Sequence, residues 1–215
     1  MVAVTRAAGQ ADELVARLEA MGCEAIVWPL IAVEPIDGAP VDPSAYDWVV
    51  VTSPNGAAEL ARRLTAPPRR IAAIGPGTAA ALRERGYEPT LVPRVSTQEG
   101  LLAELPQPAG SVLVAAAEGA RRVIVDALGA EFLALYRTLE LAPETAPEVD
   151  IVLLASPSAA RALARTKARA VPVVVIGPQT AATARELGLQ VAAEAAVHNL
   201  DGLLAALAQA LELET

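Results

Sequence analysis

IAAIGPGTAAALRERGYEPTLVP, residues 71–93, decides the fold, because it returns as VVVIGPQTAATARELGLQVAAEA over residues 173–195. Each copy holds a short apolar run, a Gly-Pro, an alanine-rich segment closed by glycine, and a second apolar run. Apolar runs of strand length between such breakers read as buried parallel strands. The alanine-rich segment reads as a helix, with Pro76 or Pro178 in its first turn and Gly86 or Gly188 just past its end. Strand, tight turn, helix and strand make a βαβ crossover. Its Gly-Pro turn opens a helix N-terminus at the carboxyl end of a strand, where open α/β sheets take up ligands.

The repeat extends beyond this unit. VVVTSPNGAAEL at Val49–Leu60 returns as VLLASPSAARAL at Val152–Leu163, an offset of 103 (156 − 53 for the serines). Gly75 and Gly177 are 102 apart (177 − 75), and STQEGLL at Ser96–Leu102 is echoed by HNLDGLL at His198–Leu204. A period of about a hundred residues is too long for a solenoid unit and matches a small domain. Two related lobes with a ligand cleft between them are expected. Val2–Trp28 also resembles Ser111–Phe132 as strand–helix–strand. Two arrangements fit that order: each repeat folds alone, or the first unit joins the last ones across the middle. In the second, extended stretches at Leu30–Ile36 and Leu133–Leu141 would run past each other as a two-stranded bridge. Pro35 disfavours a central strand for the first of these.

A helix is expected over Gln10–Met21 with Leu14, Val15, Leu18 and Met21 on one face, and another over Glu118–Leu128 with Val123, Ile124, Ala127 and Leu128 inward. A last helix carries Leu200, Leu203, Leu204, Leu207 and Leu211 on one face. Alternating strands and helices give an α/β protein of parallel sheets flanked by helices.

With 215 residues and 53% hydrophobic content, the chain can bury a substantial core. No apolar run approaches the roughly 20 residues of a membrane span, and Asp12, Glu13 and Arg17 rule out a signal peptide at the start. A cytoplasmic protein without membrane contact is expected. The formal charge of −8 and the 3% aromatic content argue against nucleic acid, whose phosphates need a basic face. The single cysteine, Cys23, and the single histidine, His198, leave no metal cluster and no internal disulfide. Neither GxGxxG after a strand nor a P-loop lysine is present. Ser53 and Ser156 lack the frame of a nucleophile elbow and read first as helix N-caps. His198 reads as a capping or solvated residue.

What remains is a set of polar helix starts at strand ends: Thr52-Ser53-Pro54-Asn55, Gly75-Pro76-Gly77-Thr78, Ser156-Pro157-Ser158 and Gly177-Pro178-Gln179-Thr180. Each offers free backbone N–H donors and the positive end of a helix dipole, which suit a carboxylate or phosphate. Several together would hold a polyanion without lysines.

VTR near the start, TSPNG, IGPGTA, SxEGL, the G-x-R-R of Gly119–Arg122, YRT, ASPSA and IGPQTA follow one another in an order that resembles the uroporphyrinogen-III synthase family. The resemblance covers nearly the whole chain. It implies two α/β lobes joined by a two-stranded extended linker, the first lobe built from both chain ends. On this chain that means residues 1–29 with 143–215 as one lobe, 38–133 as the other, and 30–37 and 134–142 as linkers. The implied activity is closure of hydroxymethylbilane, a linear tetrapyrrole with eight carboxylates, to uroporphyrinogen III with inversion of ring D and loss of water. The family uses no cofactor. The resemblance places substrate contacts at Ser53, Asn55, Thr78, Ser156, Ser158 and Thr180, and a general acid at Tyr136, in an inter-lobe cleft of a monomer. Ala155 stands where the first repeat has Thr52, and His198 stands where it has Ser96. A non-catalytic two-lobed protein that binds a small anion would show the same cleft.

Overall fold

The structure is a computed structural model of the chain and describes residues 1–212. In chain order the elements are β1 (Val2–Val4), α1 (Asp12–Ala20), β2 (Ala25–Val27), β3 (Ile31–Pro35), β4 (Trp48–Val51), α2 (Pro54–Arg63), β5 (Ile71–Ala73), α3 (Pro76–Arg83) and α4 (Gln98–Glu104). They continue with β6 (Val112–Ala117), α5 (Val123–Leu128), β7 (Glu131–Glu140), β8 (Ile151–Leu154), α6 (Pro157–Ala164), β9 (Val173–Val175), α7 (Pro178–Glu186), β10 (Val191–Glu194) and α8 (Leu200–Glu212). The chain forms two units: Met1–Ala32 with the chain from Leu139 onward, and Val33–Thr138. It passes from one to the other inside β3 and again inside β7, two strands that neighbour each other in one sheet.

The first unit holds a five-stranded sheet in the order β10-β9-β8-β1-β2, every pair parallel. The strands β1, β8 and β9 are buried along their whole length, as their unbroken Val, Leu and Ile content requires of a sheet covered on both faces. Leu14 and Leu18 of α1 and Leu203 and Leu207 of α8 pack with Val2, Val4 and Leu153 on one face. Alanines of α6 and α7, with Leu163, pack with Ala3, Val152 and Val175 on the other. The crossovers after β1 and after β8 therefore leave on opposite faces.

The second unit repeats this plan with the order β3-β7-β6-β4-β5. α2 and α3 cover one face through Ala57, Leu60 and Leu82, and α4 and α5 the other through Leu101 and Ile124. Leu60 and its repeat partner Leu163 are both fully buried; truncating a leucine so placed to alanine costs about 2–5 kcal/mol. The ladders among β5, β4, β6 and β7 are parallel. β3 is not: Ile36 N–H donates to the Leu135 carbonyl and Leu141 N–H to the Leu30 carbonyl, so one number falls as the other rises. This sheet is mixed rather than purely parallel, and β3, which ends on Pro35, lies at its edge as a proline-bearing strand must.

The helices start where the sequence supplies caps. The Ser53 hydroxyl accepts from Gly56 N–H at 2.9 Å and the Ser156 hydroxyl from Ala159 N–H at 3.2 Å. Proline follows each, its fixed φ already helical. Thr97 and Asn199 cap the equivalent starts of α4 and α8, accepting from Gly100 and Gly202 N–H at 3.0 and 2.9 Å. Asn199, not its exposed neighbour His198, fills the capping role.

Three expectations shift. α5 begins at Val123 rather than Glu118, because the Gln98 side chain organises the preceding turn: its amide donates to the Arg121 carbonyl at 2.7 Å and its oxygen accepts from Ile124 N–H at 3.3 Å. Val125 consequently packs against the core and Ala127 faces solvent. The second apolar run of the first βαβ copy is reduced to a single bridge, Ala72 to Leu91. Pro89 and Pro93 close off that run, and neither has an N–H to extend a ladder. Met21, past the end of α1, is 43% exposed. No helix among the described residues is long and apolar enough to cross a membrane.

Candidate active site

Each unit carries two helix starts at the carboxyl ends of neighbouring strands: α2 and α3 after β4 and β5, α6 and α7 after β8 and β9. None of these four has an acidic residue in its first turn. The other α-helices all do: Asp12 and Glu13 in α1, Glu99 in α4, Asp126 in α5 and Asp201 in α8. In a chain of net charge −8, these four positive helix ends carry no acid of their own. Gly75 and Gly177 give α3 and α7 no side-chain cap, so their first N–H groups stay available to a ligand.

These two glycines are required for a reason the sequence did not show. Their φ values, −177° and 166°, are extended and open to any residue. A Cβ at Gly75, however, would lie 2.6 Å from the Ser96 hydroxyl oxygen, and one at Gly177 would lie 2.8 Å from Cδ2 of His198. Close approach of a neighbouring loop, not backbone twist, crowds both turns: a side chain at Gly75 would have to displace Ser96, and one at Gly177 the exposed His198 ring. His198 thus occupies the place of Ser96 in contact as well as in sequence.

In the second unit the starts of α2 and α3 adjoin, since a Cβ at Gly77 would touch Pro54 Cγ at an ordinary 3.9 Å. Tyr136 joins them from β7. Leu113 to Ala116 of β6 pair in step with residues 131 to 134 of β7, but Ala117 pairs with Tyr136, so Leu135 is an extra residue. This bulge breaks the alternation of a regular strand: Leu135 and Tyr136, though consecutive, pack into the same α2–α3 face of the core. The Tyr136 hydroxyl lies 2.8 Å from the Ser53 hydroxyl in a hydrogen bond. Burial raises the Tyr136 pKa above its usual value near 10, and the hydrogen bonds of Ser53 and Asn55 oppose that rise without cancelling it. The phenol is protonated at neutral pH.

Ser53, Asn55 and Tyr136 are therefore brought together, 83 residues apart in sequence for the first and last. Thr78 sits on the buried face of α3, 2% exposed. In the first unit Ser156 and Ser158 share the first turn of α6, where the Ser158 hydroxyl accepts from Arg161 at 3.2 Å. Arg161 and Arg165 hold Glu140 between them at 2.6 and 2.7 Å. Burial works against the Glu140 carboxylate, yet the two arginines keep its pKa below the ordinary range. Thr180, 3% exposed, is the equivalent of Thr78 on α7.

One charged residue has no role in the sequence analysis beyond closing the VTR motif. Arg6, in the turn after β1, is half-buried, and no hydrogen bond or ion pair holds it among the described residues. In the turn after β6, by contrast, Arg121 forms a two-pronged pair with Glu99 at 2.6 and 3.2 Å, and Arg122 stacks 4.2 Å from the centre of the Phe132 ring.

Two open-sheet α/β units, each with acid-free helix starts at the carboxyl ends of its strands, place the chain among the α/β proteins whose ligand positions lie at strand ends. A sequence model of the family described as uroporphyrinogen-III synthase HemD matches residues 12–205. The chain belongs to the uroporphyrinogen-III synthase family. It is similar to a uroporphyrinogen-III synthase of Synechococcus elongatus, with 28% identity over 97% of this chain and 94% of the relative. Its fold is similar to crystal structures of uroporphyrinogen III synthase from Thermus thermophilus, a mutant form (TM-score 0.66, 20% identity, 99% and 98% of the two chains covered), and of the Helicobacter pylori protein (TM-score 0.64, 18% identity, 98% of each).

Proposed function

We propose that this chain converts hydroxymethylbilane to uroporphyrinogen III, turning ring D over and releasing one water. The observation that carries the reading is the family match, which runs across 12–205 and so includes strands and helix starts of both units. The geometry is consistent with this chemistry. Substrate carboxylates meet backbone N–H groups at the acid-free starts of α2, α3, α6 and α7, with Ser53, Asn55, Thr78, Ser156, Ser158 and Thr180 lining those turns. When Ser53 donates to the Tyr136 oxygen, the phenol O–H is left free to point at the substrate.

Tyr136 then gives its proton to the departing hydroxyl of ring A, the C–O bond breaks, and water leaves. The resulting azafulvenium carbon is attacked by the substituted carbon of ring D, forming a spiro intermediate. Fragmentation and closure at the unsubstituted carbon of ring D release that carbon's proton, which restores the phenol, so substrate equals product plus water. Unassisted closure gives the symmetrical isomer, and the positioning of ring D is the work the protein must do. The chain acts as a cytoplasmic monomer in this reading.

The test is incubation with freshly made hydroxymethylbilane and chromatographic separation of the oxidised products. Isomer III in large excess over isomer I is expected. Isomer I alone, at the rate seen without protein, overturns the proposal.

A further inference from the structure

The two units differ at equivalent places. In the first unit, β1 and β8 are adjacent and parallel, and their crossovers leave on opposite faces, α1 packing with Val2 and Val4 and α6 with Val152 and Leu154. That is a topological switch point, where the loops beyond the carboxyl ends of two strands part and leave a crevice. Arg6 lies in one of those loops, and Ser156 with Ser158 begins the helix after the other. The register sets them at one level: Val4 pairs with Leu153, and the Thr5 hydroxyl donates to the Leu153 carbonyl at 2.7 Å. From that pair Arg6 follows by two residues and Ser156 by three.

The second unit has its own switch point between β4 and β6. There the arginines after β6 are already engaged, Arg121 by Glu99 and Arg122 by Phe132. Arg6 alone of this set has neither a hydrogen-bonded, an ion-paired nor a ring partner among the described residues. Burial pulls its pKa below the usual guanidinium value, offset in part by the field of Glu13. A guanidinium cannot shed its proton near neutral pH, so partial burial without a partner is unfavourable until an anion arrives.

We propose that Arg6 is a substrate-binding residue, its guanidinium forming a two-pronged pair with one carboxylate of the tetrapyrrole at the β1–β8 crevice. The proposal rests on the synthase reading above. Backbone donors bind any carboxylate loosely; the rigid fork of Arg6 fixes which one sits where.

Steady-state kinetics on hydroxymethylbilane with full-length Arg6→Gln, Arg6→Lys and, as an exposed control, Arg169→Gln test this. Arg6→Gln raises KM by about 10- to 100-fold, the range for a lost charged hydrogen bond, and leaves kcat within about twofold. Arg6→Lys restores part of the loss, because charge returns without the fork. Arg169→Gln changes neither constant. Thermal melting confirms that the variants fold, and should Arg6→Gln be unfolded, Arg6→Lys decides alone by a raised KM at wild-type kcat. A wild-type KM in the folded variant, or a fall in kcat at unchanged KM, overturns the proposal. Failure of the synthase reading is separate: it appears as no isomer III from the wild-type protein.

Discussion

Tyr136 shows what one displaced residue can achieve. In a regular strand its side chain would face the α4–α5 side with Phe132, away from Ser53. The extra Leu135 turns it to the α2 side and places its hydroxyl on the cap of a helix start. If that phenol is the proton donor, Tyr136→Phe slows single-turnover closure by about 10- to 1,000-fold while isomer III remains the product. KM barely moves, since one neutral hydroxyl adds little beside eight carboxylates. A wild-type rate in the variant returns the tyrosine to a packing role. The pH profile carries the same signature. With its pKa raised above 10 the donor stays loaded through neutrality, and turnover falls only as pH rises past that value, a limb the phenylalanine variant lacks. The linked stability has the same sign: it is fully present below pH ~10, where the unfolded phenol titrates, and is lost as pH rises through the folded pKa.

At the scale of elements, the start of α3 separates charge from packing. Gly77 has room for a side chain, with only Pro54 Cγ near, and it stands in the first turn of its helix. Gly77→Asp should therefore hold or raise the melting temperature, because an acid favours a helix N-terminus. It should also raise KM by about tenfold or more by setting a like charge beside a substrate carboxylate. Unchanged KM in this stable variant would remove the anion-binding role from the helix start. The helix starts were legible because Ser-Pro and Gly-Pro each occur twice in the same frame, and caps act within three residues of themselves. The start of α5 is not legible locally, because its organiser, Gln98, belongs to another helix. The apolar run at Leu91 forms only a bridge, because the prolines around it outweigh its hydrophobicity. The Ser53–Tyr136 pair and the unpartnered state of Arg6 depend on strand register and burial, which the residues do not spell out along the chain.

For the whole molecule, the position of β1 is the feature with the widest reach. It lies between β8 and β2, so the sheet of the first unit is completed by residues from the opposite end of the chain. The second unit is contiguous. A fragment of residues 33–138 should melt cooperatively by circular dichroism, since it holds its own ladders and both faces of its core. A fragment of 139–212 alone should not, because β8 is left as a bare edge, and adding the peptide 1–32 should restore a transition. Cooperative melting of 139–212 by itself would show that β1 is dispensable. The same arrangement bears on how the protein is made. A ribosome delivers β1 first and its partner β8 only after the whole second unit has emerged. At ~5–20 residues per second, the last helix follows β1 by on the order of ten to forty seconds. Through that interval the apolar Val2–Val4 segment has no sheet to enter, while residues 33–138 can already fold. The nascent β1 segment is thus a stretch that gains from shelter by a chaperone until β8 has emerged.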